Sequence, residues 1–182
     1  MTSPIFIIGN PRSGTTLLRL ILTCHRNLVI PPECGFAVWL YDKYGHWDQL
    51  ERRGDSFLED FVHDLMRCRK IETWHLEERD LFEFLKRRNP SSYAGLVSLV
   101  YEWYGLSQGR TFKRWGDKNN FHIHHILTIK AVFPDTYFVH IVRDGRDVAC
   151  SYKRLNERRI NSPFAPRLPN LRLRPARSCR HG

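Results

Sequence analysis

Residues 5 to 18 read Ile5-Phe6-Ile7-Ile8-Gly9-Asn10-Pro11-Arg12-Ser13-Gly14-Thr15-Thr16-Leu17-Leu18. The apolar run at its start predicts a buried parallel strand. A turn bounded by Gly9 and Gly14 follows, and apolar residues at helical spacing come after the turn. A strand, a phosphate-sized loop and a helix form an anion-binding unit. Amides of the loop and of the first helical turn converge on one point, where the helix dipole adds partial positive charge.

The loop has the glycine spacing of a nucleotide-binding P-loop, but its charge lies elsewhere. Thr15 stands where a P-loop NTPase has the lysine that reaches the β- and γ-phosphates, and Arg12 places a guanidinium inside the loop. A guanidinium makes a planar, two-pronged contact with phosphate or sulfate oxygens. Three hydroxyl side chains, more than one N-cap needs, stand at the helix start: Ser13, Thr15 and Thr16. We therefore expect a site for a phosphate-like anion, the alternative being a surface turn with an incidental arginine.

The bulk composition indicates one globular domain. The chain has 182 residues, of which 42% are hydrophobic and 13% aromatic. It contains no apolar run of about 18 residues, so we expect no membrane span. The first strand begins a few residues after Met1, which leaves no room for a signal peptide, and we expect a cytoplasmic protein. The five cysteines are odd in number and form no C-x-x-C pair, which favours free thiols in a reducing compartment.

The net charge of +10 is concentrated at the C-terminal end. Seven arginines and no acidic residue lie between Arg158 and Gly182. Residues 162–182 also contain four prolines and no apolar period, so we predict a disordered, arginine-rich tail behind a domain of residues 1–161. Such a tail can touch anionic surfaces without specificity, and we expect no specific nucleic-acid partner.

Strands alternate with helices along the rest of the chain. Residues 28–30 and 111–118 predict strands, and Tyr137 to Val142 is the clearest buried strand. Helical spacing covers these segments: 17–27, 36–50, parts of 51–89, 91–104, 123–133 and the residues from Val148 onward. The order predicts an α/β, three-layer P-loop-like fold with a mostly parallel central sheet flanked by helices. Ligands of such sheets bind at the carboxyl ends of the strands, so Arg12, Lys118 and Arg143 should share one crevice.

Two motifs together make the chain resemble a known family. They are Pro11-Arg12-Ser13-Gly14-Thr15-Thr16-Leu17-Leu18 and Val142-Arg143-Asp144-Gly145-Arg146-Asp147-Val148-Ala149-Cys150-Ser151. With them the chain resembles the sulfotransferases that use 3′-phosphoadenosine 5′-phosphosulfate (PAPS). The resemblance implies that the first motif is the 5′-phosphosulfate loop, with Arg12, Ser13, Gly14, Thr15 and Thr16 as binding residues. It implies that Arg143 and Ser151, eight positions apart, bind the 3′-phosphate.

Within that family the chain is most similar to the protein-tyrosine sulfotransferase branch and its bacterial relatives. That branch has a catalytic glutamate 21 residues after the loop arginine, which corresponds to Glu33. It has a catalytic lysine 25 residues before the 3′-phosphate arginine, which corresponds to Lys118. The resemblance covers residues 4 to 155. Leu155 stands where the branch has an arginine, and we expect the fold to be incomplete at its C-terminal end, where family members continue.

The resemblance implies transfer of a sulfuryl group from PAPS to an acceptor hydroxyl or amine. In this interpretation Glu33 is the general base, Arg12 and Lys118 offset the charge on the transferring group, and no metal is required. A peptide tyrosine, a carbohydrate and a small molecule all stay open as acceptors, and the oligomeric state is open as well.

Each of these roles has a structural alternative. Glu33 could simply stabilise a helix N-terminus, Lys118 could be a solvated loop lysine, and His25 could serve as the base instead. His122, His124 and His125 lack a nearby acidic or cysteine ligand, so we expect a solvated helix face there and no metal.

Two functions from other classes compete with sulfuryl transfer. One is a catalytically incomplete nucleotide-binding remnant, and the other is a P-loop kinase or NTPase, which Thr15 disfavours.

Overall fold

The structure is a computed structural model that describes residues 3–48 and 55–160, with side chains up to residue 155. It divides into two units, Met1–Asp144 and Gly145–Gly182. The described part of the second unit is one helix, Gly145–Ile160. The predicted disordered tail, residues 162–182, lies outside the described residues.

The first unit is built on a parallel sheet of four strands. The strands are β1 (Ile5–Gly9), β2 (Leu28–Val29), β3 (Arg114–Lys118) and β4 (Tyr137–Ile141), in the order β2-β3-β1-β4. All three strand pairs are parallel. The described residues form the α-helices α1 (Thr15–Thr23), α2 (Phe36–Trp39), α3 (Tyr41–Tyr44), α4 (Asp55–Met66), α5 (Glu78–Arg88), α6 (Tyr93–Ser107), α7 (Ile126–Val132) and α8 (Gly145–Ile160). The same residues also form the 3₁₀ helices Ile71–Trp74 and Asn120–His124.

Helices flank the sheet on both faces. The connection from β1 to β2 through α1 passes β3, whereas the connection from β3 to β4 through α7 passes β1 in the opposite direction. Right-handed crossovers that run in opposite directions leave their helices on opposite faces of a sheet. The predicted α/β, P-loop-like fold with a mostly parallel central sheet flanked by helices is therefore confirmed.

Aromatic side chains fill the core on one face of the sheet. Phe6 of β1 packs edge-on against Trp115 of β3, with 5.8 Å between the ring centroids. Trp115 in turn stacks on Tyr101 of α6, with centroids 4.0 Å apart and the planes at 7°. Strand β1 has a neighbouring strand on each side and is buried along most of its length. Neither of its faces meets solvent, which explains its continuous apolar run.

The prediction that Tyr137 to Val142 is the clearest buried strand is wrong, because most residues of β4 are exposed. β4 lies at the edge of the sheet, where β1 is its only neighbour among the described strands. Tyr137 is 56% exposed and Val142 is 79% exposed. An apolar β-branched run is equally compatible with a central strand and with one apolar face at an edge, so the composition of the run did not show its position.

Helix α1 packs on the sheet as predicted, but part of its apolar pattern points away from it. Leu17 and Ile21 are 64% and 58% exposed. The helix ends at Thr23, somewhat earlier than the predicted end near residue 27. The segment predicted as one helix over residues 36–50 forms the two short helices α2 and α3, which meet at Leu40. In the described part of the chain, no helix has the length and hydrophobicity to cross a membrane.

Candidate active site

The loop between β1 and α1 has three residues with positive φ. Gly9 and Gly14 have φ values of 153° and 100°, and Arg12 also lies in the left-handed region, with φ 71°. The amide of Ser13 donates to the carbonyl of Asn10 at 3.2 Å, which closes the turn. These torsions turn the loop sharply at three positions, so that the chain wraps around the start of α1.

The start of α1 favours a negative charge. Gly14 is its N-cap and supplies no capping side chain, and no acidic residue lies in the first turn. The amides of that turn therefore lack a side-chain cap, and the helix dipole adds to their positive potential. Thr15 is buried, and its hydroxyl donates to Oδ1 of Asn120 at 3.0 Å, which ties the loop to the segment that follows β3.

Arg143, just beyond β4, reaches the same loop. Its Nη1 donates to the backbone carbonyl of Arg12 at 3.2 Å, across 131 positions of sequence. Both guanidinium groups are exposed, at the carboxyl end of the parallel sheet. Two of the residues predicted to bind a donor, one from each motif, therefore lie side by side.

Glu33 and Lys118, the second predicted pair, also meet. Lys118 is the last residue of β3, and its Nζ lies 3.3 Å from Oε2 of Glu33, which follows Pro31-Pro32 in the loop after β2. The side chain of Lys118 is only 5% exposed, so its ammonium is held inside the protein and needs this carboxylate. The interpretation of Lys118 as a solvated loop lysine does not fit this position.

A third residue, for which no sequence pattern indicated a role, completes this cluster. Nζ of Lys70 lies 3.0 Å from the same Oε2 of Glu33. Burial raises the pKa of Glu33, but the hydrogen bonds and charges of Lys70 and Lys118 outweigh it, so that the pKa lies below its ordinary value. Glu33 is accordingly a carboxylate at neutral pH.

The segment behind Lys118 is held by a buried polar network. Asp117 accepts a hydrogen bond from the hydroxyl of Tyr101 at 2.7 Å and lies 2.8 Å from Nε2 of His122. All three side chains are buried. Asn119 accepts a hydrogen bond from the amide of Phe121 at 3.0 Å and so caps the following 3₁₀ helix. This network fixes the backbone from which Lys118 extends.

The prediction of a solvated histidine face at 122–125 is wrong for His122. Its side chain is fully buried because Asp117 needs a partner in the core, and its Nδ1 has no hydrogen-bond partner. His25, the alternative base, accepts a hydrogen bond from the amide of Asn27 in the turn after α1. Within the described ranges, no group of three or more His, Cys, Asp or Glu side chains could hold a metal ion.

The contacts described above do not involve the side chains of all the predicted site residues. Gly14 and Thr16 are exposed at the start of α1, and Ser13 is buried in the loop. Ser151 lies in α8, in the second unit, so its pairing with Arg143 stays a prediction.

Comparison with known proteins assigns the family. A family profile described as "Sulfotransferase family" matches residues 4–172, and the chain belongs to the sulfotransferase family. Among solved structures, the sulfotransferase domain from the Synechococcus PCC 7002 olefin synthase is similar to the chain, with 23% sequence identity and a TM-score of 0.47. That similarity covers 86% of this chain and 54% of that domain, so the chain spans about half of the domain's length. No curated protein sequence matches the chain significantly.

Proposed function

We propose that this chain binds PAPS at the carboxyl end of its parallel sheet and transfers the sulfuryl group to an acceptor hydroxyl or amine. The observation that supports this most is the hydrogen bond between Arg143 and the carbonyl of Arg12. It brings together the two segments that, in this proposal, bind the 5′- and 3′-phosphate groups of one nucleotide. The family supports sulfuryl transfer in general, and the donor assignment is ours.

In this proposal the loop holds the 5′-phosphosulfate. Amides from Gly14 to Thr16 bind the phosphate at the start of α1, where no acidic residue opposes it. Arg12 lies beside the sulfuryl oxygens, and Arg143 and Ser151 bind the 3′-phosphate. Charge-assisted hydrogen bonds of this kind are the stronger class of protein hydrogen bonds.

The reaction is an in-line displacement at sulfur. The acceptor oxygen or nitrogen forms a bond to sulfur while the bond between sulfur and the bridging phosphate oxygen breaks. The electron pair of that bond leaves with the phosphate, which gives adenosine 3′,5′-bisphosphate. The proton of the acceptor passes to the carboxylate of Glu33, and Lys118 offsets the charge that grows on the bridging oxygen.

The Glu33–Lys118 pair suits these roles because the two side chains are in contact and Lys118 helps to keep Glu33 ionised. Lys118 is buried and Glu33 is half-buried, so the two groups already lie close together before a substrate arrives. Groups that are already oriented do not have to be ordered in the transition state, which lowers the barrier.

Calorimetric titration of the purified chain with adenosine 3′,5′-bisphosphate tests the donor site. We expect binding, and we expect Arg143→Ala to weaken it by about tenfold to a hundredfold, the equivalent of one charge-assisted hydrogen bond of roughly 1.5–3 kcal/mol. Arg79→Ala is the matched control, since Arg79 is an exposed arginine on α5. ATP with magnesium serves as the competing ligand.

The outcomes separate the candidate functions. Binding of the bisphosphate but not of ATP, together with sulfuryl transfer from PAPS in an acceptor screen, supports the proposal. Binding without any transfer identifies a nucleotide-binding remnant. ATP hydrolysis that is lost in Arg12→Ala identifies an NTPase, and no binding of either nucleotide overturns the donor site.

A further inference from the structure

The turn between α4 and the 3₁₀ helix Ile71–Trp74 contributes Lys70 to the candidate site. Its Nζ lies 3.0 Å from Oε2 of Glu33, and Nζ of Lys118 lies 3.3 Å from the same oxygen. Within the described part of the chain, both bonds of this carboxylate go to Oε2. The other oxygen, Oε1, is the atom that can take a proton from an acceptor.

The backbone of Lys70 adopts a conformation that is uncommon for a residue with a side chain. Lys70 has φ 73° and ψ 2°, in the left-handed region that favours glycine over residues with a side chain. Non-glycine residues persist there where the surrounding structure holds them, and they cluster at functional sites.

Contacts on both sides hold the turn in place. The hydroxyl of Thr73 donates to the carbonyl of Lys70 at 2.7 Å, and the amide of Ile71 donates to the carbonyl of Cys68 at 3.1 Å. Nε1 of the buried Trp74 donates to the carbonyl of Pro32 at 2.9 Å, directly before Glu33. The segment that carries Lys70 is therefore fastened to the segment that carries Glu33.

The two lysines differ in their access to solvent. The side chain of Lys118 is 5% exposed, whereas that of Lys70 is 40% exposed. Lys118 extends from the carboxyl end of β3, beside the segment that Asn120 ties to the loop. Lys70 is therefore the more solvent-accessible of the two cations that contact Glu33.

We propose that Lys70 is a positioning residue that holds the carboxylate of Glu33 on the acceptor side while the ammonium of Lys118 engages the sulfuryl donor. This inference rests on the proposed function and deepens it. An ammonium that turns toward the leaving phosphate loses part of its hold on Glu33, and burial alone favours the neutral acid. Lys70 then keeps Glu33 ionised and aimed, ready to take the proton of the acceptor at Oε1.

The charged groups that act on Glu33 come from two elements. Lys118 faces it from β3, and Lys70 faces it from the turn after α4. Both lower the pKa of Glu33 against the effect of burial. Removing either cation therefore raises the pKa of Glu33. Removing Lys70 raises it further when a bound donor engages the ammonium of Lys118.

The test compares Lys70→Met, which keeps the length of the side chain without its charge, with Lys70→Arg, which keeps the charge. Arg69→Met is the matched control, because Arg69 is the exposed neighbour. The first measurement is a carbon-detected NMR titration of the Glu33 carboxyl, assigned with Glu33→Gln, in the full chain with and without adenosine 3′,5′-bisphosphate. We expect Lys70→Met to raise the pKa of Glu33, more strongly with the nucleotide, and Lys70→Arg to restore it.

The second measurement is the steady-state kinetics of sulfuryl transfer. We expect Lys70→Met to lower kcat by about tenfold, to leave the donor KM within about twofold and to move the acidic limb of the pH profile to higher pH. Lys70→Arg should recover most of the rate.

The results distinguish this inference from the proposed function on which it rests. If Lys70→Met leaves the pKa of Glu33 unchanged, the inference is overturned, whether or not the chain transfers sulfuryl groups. Unchanged kcat in Lys70→Met with an active unmutated chain also overturns it, while the proposed function stands. An unmutated chain that binds no donor overturns the proposed function itself.

Discussion

Replacing Tyr101 by phenylalanine removes one hydroxyl from the network behind Lys118 and leaves the aromatic ring in place. The hydroxyl donates to Oδ2 of Asp117 at 2.7 Å, and Asp117 is 1% exposed. Burial and the charge of Asp117 raise the pKa of Tyr101 well above its ordinary value of 10.0, so the hydroxyl stays protonated and acts as a donor. The ring stacks on Trp115, a contact that phenylalanine keeps.

The expected loss of stability follows from the charge of the acceptor, Asp117. A hydrogen bond to a charged group contributes roughly 1.5–3 kcal/mol to stability, and a neutral one contributes roughly 0.5–1.5 kcal/mol. Asp117 keeps one partner, His122, so we expect Tyr101→Phe to lower the free energy of unfolding by about 2 kcal/mol. With a urea m-value of about 2 kcal/mol/M, the unfolding midpoint moves down by about 1 M.

The chain supplies a matched control in Tyr93→Phe. Tyr93 is buried on the same helix, but its hydroxyl donates to a neutral acceptor, the carbonyl of Ala37, at 3.2 Å. Urea unfolding of both variants, followed by fluorescence and by circular dichroism, gives the comparison. If Tyr101→Phe costs no more than Tyr93→Phe, Asp117 is not the charged centre of a stabilising network, and the reasoning fails.

Two further predictions concern the residues of the site itself. The pKa of Glu33 is lowered in the folded chain from its ordinary value of 4.5, so its ionisation stabilises the fold above that value and the contribution is lost as the pH falls through the lowered pKa. Urea unfolding of Glu33→Gln at pH 7 and at decreasing pH below 4.5 should therefore show a shallower loss of stability than the unmutated chain, and parallel curves would contradict this. A Cβ at Gly9 would lie 2.6 Å from the carbonyl oxygen of Ile141, whereas at Gly14 it would meet no atom within 4 Å. Both glycines have positive φ, so thermal unfolding should show a loss of about 1–2 kcal/mol for Gly14→Ala and a larger loss for Gly9→Ala; equal losses would show that the contact with β4 is not tight.

Much of the fold could be predicted from local patterns. The apolar run of β1, the glycine-bounded loop and the helical spacing after it together predict a strand, a tight turn and a helix, which the structure has. The alternation of strands and helices then requires crossovers, which makes the sheet parallel. Because the carboxyl ends of parallel strands lie at the same end of a sheet, Lys118 and Arg143 were expected at that end, and the structure has them there.

Position within the sheet could not be predicted in this way. The run of β4 is as apolar as that of β1, yet β4 is an edge strand with Tyr137 exposed. Strand order depends on which strands pair, and pairing is settled by contacts across more than a hundred residues rather than by the composition of one segment.

The candidate residues Arg12, Glu33, Lys118 and Arg143 could be found from the sequence, because their identity and spacing can be read along the chain. Which of these groups act on one another depends on the packed fold. Lys70 lies in a charged segment with no distinctive spacing, and it reaches Glu33 because a left-handed turn and the Trp74–Pro32 hydrogen bond bring the two segments together. A charge exerts its effect over a few ångströms of space, and the distance between residues 37 positions apart is set by the packed fold.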